Sequence, residues 1–164
     1  MSNIECRYLA ELDINDKFFA SLKEDYSNFE EWFKKKQDSN TKCYVTMDNG
    51  NITSLLILKI EYEDEDYSNF TITFNKSKRL KICTFKVINK GKGIGEEFIN
   101  IINNEAIINN VNEIYVTIFN KYKSLIKLFN NNGYYEYTKK KTWSDKDSFE
   151  YENVLVKKVK KYFE

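Results

Sequence analysis

The chain has 164 residues, 41% of them hydrophobic and 16% aromatic, which suits a globular domain with a buried core and excludes a disordered polymer. Twenty-six basic and twenty-five acidic residues leave a formal net charge of +1, so the molecule as a whole has no bias toward nucleic acid or an acidic membrane, and a charged partner has to be met locally. Histidine is absent, which removes Ser-His-Asp and Cys-His catalysis and the commonest zinc ligand.

Cys6, Cys43 and Cys83 are odd in number and far apart, which fits neither a disulfide framework nor a CxxC metal site, so reduced thiols and no metal are expected. The opening residues do not read as a signal peptide, and the longest apolar run, Leu55 to Leu58, is strand-sized. A cytoplasmic protein with no membrane partner is expected. No linker or repeat interrupts the chain, so residues 1–164 are expected to form a single domain.

In chain order, Ile4 to Leu9 predicts a first strand. Asp13 or Asn15 can cap a helix that carries Phe18, Phe19, Leu22 and Tyr26, and Ser27 or Asn28 can cap a second, short helix with Phe29, Trp32 and Phe33, ended by the polar run "KKKQDSN". The segment "KCYVTMDNGNITSLLILKIEYE" predicts a hairpin turning at Asp48-Asn49-Gly50-Asn51, because these residues tolerate positive φ. Its second strand is apolar on both faces from Leu55 to Leu58 and should lie inside its sheet. "EYEDEDYSNF" reads as a solvated acidic loop. Arg79 to Val87 is a further strand, whose apolar positions change phase from Leu80 and Ile82 to Phe85 and Val87, and this predicts a bulge near Cys83 and Thr84. Ile94, Phe98, Ile101, Ile102 and Ala106 define a helix ending near Asn110. A strand "EIYVTIF", a helix from Lys121 to Asn131 stopped by Gly133, and strands near Tyr134 to Lys139 and Phe149 to Lys157 complete the chain. The last of these reads as an exposed edge on which a homodimer could pair, although its lysines argue as much against such pairing.

Three of the five glycines, Gly91, Gly93 and Gly95, fall within five residues between a strand and a helix. That is a device for holding phosphate: glycine lets the backbone approach, first-turn N–H groups face the anion, and the helix dipole favours negative charge. Lys90 and Lys92 add positive charge. A Walker loop would need Gly-Lys-Ser/Thr, but Glu96 and Glu97 follow Gly95, and a dinucleotide fingerprint would need Gly-x-Gly-x-x-Gly near the start of a parallel sheet. Both ATP and NAD are disfavoured.

"KGKGIG", Lys90 to Gly95, resembles the Gln/Arg-x-x-Gly-x-Gly/Ala loop of the GNAT superfamily of acyl-CoA-dependent N-acyltransferases, and "VTIFNKYKSLIKLFNNNGYYEY" resembles that family's strand, Asn, helix and Gly-aromatic segment, with Asn120, Ser124, Leu128 and Gly133 in corresponding places. The resemblance implies an α/β (α+β) fold: a mixed, mostly antiparallel central sheet of about seven strands, splayed between the fourth and fifth, with about four helices on its two faces. It implies acetyl-CoA as cofactor. The backbone of Phe85, Lys86 and Val87 would pair with the pantetheine arm. Amides of Lys90, Gly91, Lys92, Gly93, Ile94, Gly95 and Glu96 would hold the pyrophosphate, and Asn120 and Ser124 would approach from the other side.

Transfer of an acetyl or short acyl group to a primary amine needs a deprotonated amine, a polarised carbonyl and a protonated leaving thiolate. A backbone N–H near Val87 could polarise the carbonyl. Related enzymes often protonate the thiolate with a Tyr where this chain has Phe129, so Tyr122 is the nearest phenol to offer. Glu61 is the candidate general base, directly or through water. The acceptor, a small molecule, a peptide or an aminoacyl-tRNA, is not specified by any motif. The competing readings are an acyl-CoA-binding regulatory module with weak or no activity, and an RNA-binding protein using the basic cluster Lys76 to Lys92.

Overall fold

The computed structural model describes residues 3–72 and 74–160; the remainder of the 1–164 span lies outside the described residues. The elements are β1 (Glu5–Tyr8), α1 (Ala20–Asp25), α2 (Phe29–Asp38), β2 (Lys42–Asp48), β3 (Asn51–Glu61), β4 (Arg79–Val87), α3 (Ile94–Ile108), β5 (Glu113–Phe119), α4 (Lys123–Asn131), β6 (Tyr135–Trp143) and β7 (Phe149–Lys158). The strands form a seven-stranded sheet in the order β1-β2-β3-β4-β5-β7-β6. β4 and β5 run parallel, while β1–β2, β2–β3, β5–β7 and β6–β7 are antiparallel. The parallel pairing spans Arg79↔Glu113 to Ile82↔Val116, and both strands continue past it. Among the described residues no helix is long and apolar enough to cross a membrane. The chain groups into two compact units, one of residues up to Ile57 with Thr84–Ile94, the other of Leu58–Cys83 and the residues from Gly95 onward.

In the first unit, Asp16 caps the start of the helical region by accepting from Phe18 N (2.9 Å) and also accepts from Ile52 N at the head of β3 (3.0 Å). Phe18, Phe19, Phe29 and Phe33 are buried, with the Phe19 and Phe33 rings edge-to-face at 4.9 Å. α2 runs on to Asp38 instead of stopping at the polar run. Glu31–Lys35 and Lys34–Asp38 pair one turn apart, and Gln37 Nε2 donates to the carbonyls of Leu9 and Leu12, so these polar residues are good helix formers with partners. The hairpin turns at Asn49 and Gly50, with φ +51° and +78°, between the pair Asp48↔Asn51. Its register shifts after Thr46↔Ser54 to Met47↔Ile52, leaving Thr53 as a bulge residue. β3 lies inside the sheet, with Leu55, Leu56 and Ile57 fully buried, as its apolar run anticipated.

β4 alternates in burial, and its parallel pairing ends at Ile82, short of Cys83 and Thr84 where the sequence predicted a bulge. Leu80, Ile82 and Thr84 are buried, and Lys81, Cys83 and Phe85 are half-buried, with no shift in register from Arg79 to Ile82. The buried set continues onto Thr84, and Phe85 takes the other, partly open face.

In the second unit, β7 is interior, flanked by β5 and β6; the expectation of an exposed final strand is corrected, because β6 follows β5 in sequence but pairs outside β7. In the acidic loop after β3, Tyr62, Glu63, Asp64, Asp66, Ser68 and Asn69 are exposed as expected, but Tyr67 and Phe70 are half-buried. Tyr67, Phe70 and Phe74 pack against Tyr115, Val154 and Val156. Residues 69–72 lie along β6, with Thr71 N donating to Lys139 O (2.8 Å) and Lys141 N donating to Asn69 O (2.9 Å). We refer to this segment as the strap. On α3, Phe98, Ile102 and Ala106 are buried.

Candidate functional site

The glycine loop up to Ile94 belongs to the first unit, and its approach is anchored from both sides. Thr53, the bulge residue of β3, accepts from Ile88 N (2.9 Å) just beyond β4. Lys86 turns its side chain inward, where Nζ donates to Phe18 O (2.5 Å) and Ser21 Oγ (2.7 Å) and lies over the Phe18 ring at 4.6 Å. Burial pulls its ammonium below the ordinary lysine value, against the attraction of Asp25. The Lys86 side chain is thus committed to the fold, and only its backbone is left for a ligand.

Gly91 and Gly93 have φ +83° and +73°, the left-handed region that side chains other than glycine rarely adopt. Nothing lies within 4 Å of a Cβ built on either, so these glycines are required by backbone conformation and open onto free space. Lys90 and Lys92 are exposed beside them, and Ile94 begins α3. Glu96 and Glu97 stand in the first turn of α3. They complement the helix dipole and oppose an anion there.

Gly95 has a different task. A Cβ on it would come within 3.1 Å of Leu128 Cδ2, so it permits close packing of α3 on α4 within the second unit.

At the β5–α4 junction, Asn120 Oδ1 accepts from Asn153 Nδ2 at 3.4 Å. Tyr122 is the N-cap residue of α4, without a side-chain cap bond, and is 37% exposed. Lys121 Nζ lies 5.2 Å from its ring centroid. Ser124 is exposed in the first turn, which contains no acidic residue. Phe129 is fully buried and meets the Tyr134 ring edge-on at 4.9 Å. Burial raises the Tyr134 phenol well above its usual value, and its hydroxyl has no partner among the described residues.

Glu61 is 3% exposed at the end of β3. Its Oε1 accepts from Tyr67 Oη (3.0 Å) and from Tyr115 Oη, and its Oε2 lies 3.7 Å from Lys59 Nζ. Burial, then the Glu61 charge, pushes Tyr67 up to about 12 and Tyr115 further in the same direction. Burial alone would lower Lys59, but its bond to Glu65 (2.8 Å) and the Glu61 charge hold it above the usual lysine value. Both phenols therefore stay protonated and donate. Burial, then the like charge of Lys81, lowers Lys140, against the attraction of Glu152 and Glu61.

Sequence reasoning missed Tyr67, Tyr115 and Lys140 as companions of Glu61. Tyr115 carried a signal, a phenol alternating with the buried Ile114 and Val116; Tyr67 was hidden in a segment taken for solvent-facing loop. Tyr122 and Glu61 occupy separate parts of the second unit, the β5–α4 junction and the β3 end.

The parallel β4–β5 pair in a sheet that also holds four antiparallel pairs, with a glycine turn leading from β4 into α3, decides the architecture. The fold is that of the GNAT acyltransferases. Solved structures agree with it over nearly the whole chain. Naa20 from Chaetomium thermophilum, in complex with a bisubstrate analogue, aligns with TM-score 0.67 and 15% identity over 96% of this chain and 87% of its own. The ribosomal-protein-alanine N-acetyltransferase from Brucella melitensis gives 0.65 and 14% over 96% and 100%. The NatC complex bound to Gag peptide and CoA gives 0.56 and 16% over 97% and 100%. No family model and no curated protein matches the sequence. At these identities the GNAT likeness is one of fold.

Proposed function

We propose that the protein is an N-acetyltransferase that moves an acetyl or similar short acyl group from acetyl-CoA to a primary amine by direct attack on the thioester. The observation that carries this reading is the loop after β4, where Gly91 and Gly93 hold positive φ over open space and lead into the first turn of α3. That loop fits a pyrophosphate: backbone amides are free to turn toward it, and Lys90 and Lys92 stand exposed beside it.

Bound acetyl-CoA supplies an acyl group already activated as a thioester. Amides from Lys90 to Glu96 would bind the pyrophosphate, and the backbone of Phe85, Lys86 and Val87 would orient the pantetheine arm, with a backbone N–H near Val87 to polarise the acyl carbonyl. Asn120, just after β5, and Ser124, in the first turn of α4, would add contacts. The Tyr122 hydroxyl returns a proton to the leaving sulfur. Glu61 is the proton acceptor for the amine, and because it is enclosed, the proton reaches it through a water or one of its phenol partners rather than by direct contact. The acceptor classes are small molecules, peptides and aminoacyl-tRNA; one neighbour is bound to a Gag peptide and another is named for a ribosomal protein.

One observation favours a second reading, an acyl-CoA-binding module with weak chemistry. Phe129 fills the position where related enzymes carry a Tyr, and it is fully buried. The test is calorimetric titration with acetyl-CoA, with ATP and NAD as controls, followed by an amine panel. Selective saturable binding with turnover supports the transferase, and binding without turnover on any amine supports the module.

The glycine variant Gly93→Val addresses the loop itself. It is expected to abolish acetyl-CoA binding while costing about 1–2 kcal/mol of backbone strain. Retained affinity in the folded variant would remove the loop from the site.

A further inference from the structure

The far half of the β6–β7 hairpin presents one face of unusual composition. Trp143 pairs with Phe149, Lys141 with Tyr151 and Lys139 with Asn153, and residues directly opposite or two apart in such a ladder share a face. Trp143, Phe149 and Tyr151 are 43%, 39% and 45% exposed. Their rings form a continuous row, Trp143 to Phe149 at 4.9 Å and Phe149 to Tyr151 at 5.3 Å. Lys141 Nζ sits 4.8 Å from the Phe149 centroid.

Most acids of this hairpin lie off the paired face, and Asp145 and Asp147 stand exposed in the turn beyond Trp143. Glu150 and Glu152 oppose Thr142 and Lys140, on the other face. In the turn, Asp145 Oδ1 accepts from the amides of Asp147 (2.8 Å) and Ser148 (2.9 Å). Glu136 lies 3.4 Å from Lys139, whose Nζ also donates to Asn153 Oδ1 (2.9 Å). Along the paired strands the face is consequently aromatic, with Lys139 and Lys141 as its only charges from Lys139 to Trp143 and from Phe149 to Asn153.

Exposed rings on adjacent strands with lysines between them suit a polyanion whose flat bases are unpaired. We propose that this face of the β6–β7 hairpin binds single-stranded RNA, with bases stacked on Trp143 and Tyr151 and phosphates met by Lys141 and Lys139. RNA is the occupant because it presents unstacked bases in loops and ends, where such rings can reach them. The surface differs from the Lys76 to Lys92 cluster considered from sequence, and it does not depend on acyl transfer.

The test is fluorescence anisotropy of a labelled oligouridine of roughly a dozen nucleotides, within the range one such platform covers. Saturable binding that weakens with salt is expected. Trp143→Ala combined with Tyr151→Ala should weaken it by at least about tenfold, and Lys141→Gln should reduce the salt slope by about one. Trp143 and Tyr151 are exposed and Lys141 is half-buried, and circular dichroism checks that the variants fold. No binding at low salt, equal affinity of the aromatic variant, or equal or tighter binding of duplex RNA or of a DNA strand of the same length overturns the proposal. So does sedimentation showing that the face is covered by a second copy of the chain, released by Trp143→Ala.

Discussion

Glu61 holds two phenols and a lysine at once, and its chemistry and its structural role can be separated by pH. Tyr67 is pushed up to about 12 from an ordinary 10.0, and Tyr115 moves the same way. A group raised in the folded state contributes stability that is intact below the unfolded pKa and is lost as pH climbs through the folded one. Urea midpoints should therefore fall between about pH 10 and 12. In Glu61→Gln, an amide oxygen remains for the phenols and burial still raises them, but the charge that adds to burial is gone, so the alkaline loss should shrink. The same variant should lower kcat about 100-fold with KM for acetyl-CoA unchanged if Glu61 accepts the proton. A smaller alkaline loss with undiminished kcat would leave it a structural carboxylate only.

Among the elements, β4 and β5 were readable to the residue, Arg79–Val87 and Glu113–Phe119, because their β-branched and aromatic runs are bounded by polar or glycine signals. The glycine turn was readable for the same reason, as was the hairpin at Asn49-Gly50. The strap was not. Acidic composition in Glu61 to Asp66 masked the aromatic residues that follow, and the surfaces they cover belong to β5 and β7, which local periodicity cannot show. Nor could sequence show that β7 enters between β5 and β6, since pairing order is a tertiary fact. For the site, the loop was visible through its glycines, whereas the division of labour between Gly93, held at positive φ, and Gly95, pressed against Leu128, needed coordinates. The strap's worth can be measured. Phe74 is 5% exposed, has Phe70, Tyr67 and Tyr115 rings around it, and lies 3.7 Å from the Arg79 guanidinium carbon. Phe74→Ala should cost about 3–5 kcal/mol by urea denaturation, and a loss under about 1 kcal/mol would mean that the strap is only loosely seated.

At the scale of the molecule, the acetyltransferase reading makes a thermodynamic demand. A cofactor that binds only the folded chain must stabilise it, by about 2.7 kcal/mol at a hundred times its dissociation constant. Thermal scans with increasing acetyl-CoA should show the unfolding midpoint rising with concentration, and Gly93→Val should show no rise. A flat response in the parent chain would contradict the reading, whatever its fold.

The strap also bears on how the chain is made. Thr71 and its hydrogen-bonded partner Thr138 are 67 residues apart, and synthesis proceeds from the N-terminus. Tyr67, Phe70 and Phe74 thus leave the ribosome well before β6 and β7 exist to receive them. Until the last strand is translated, three aromatic side chains wait without their docking surface, and that interval is when the nascent chain is most open to capture by chaperones or by its own neighbours.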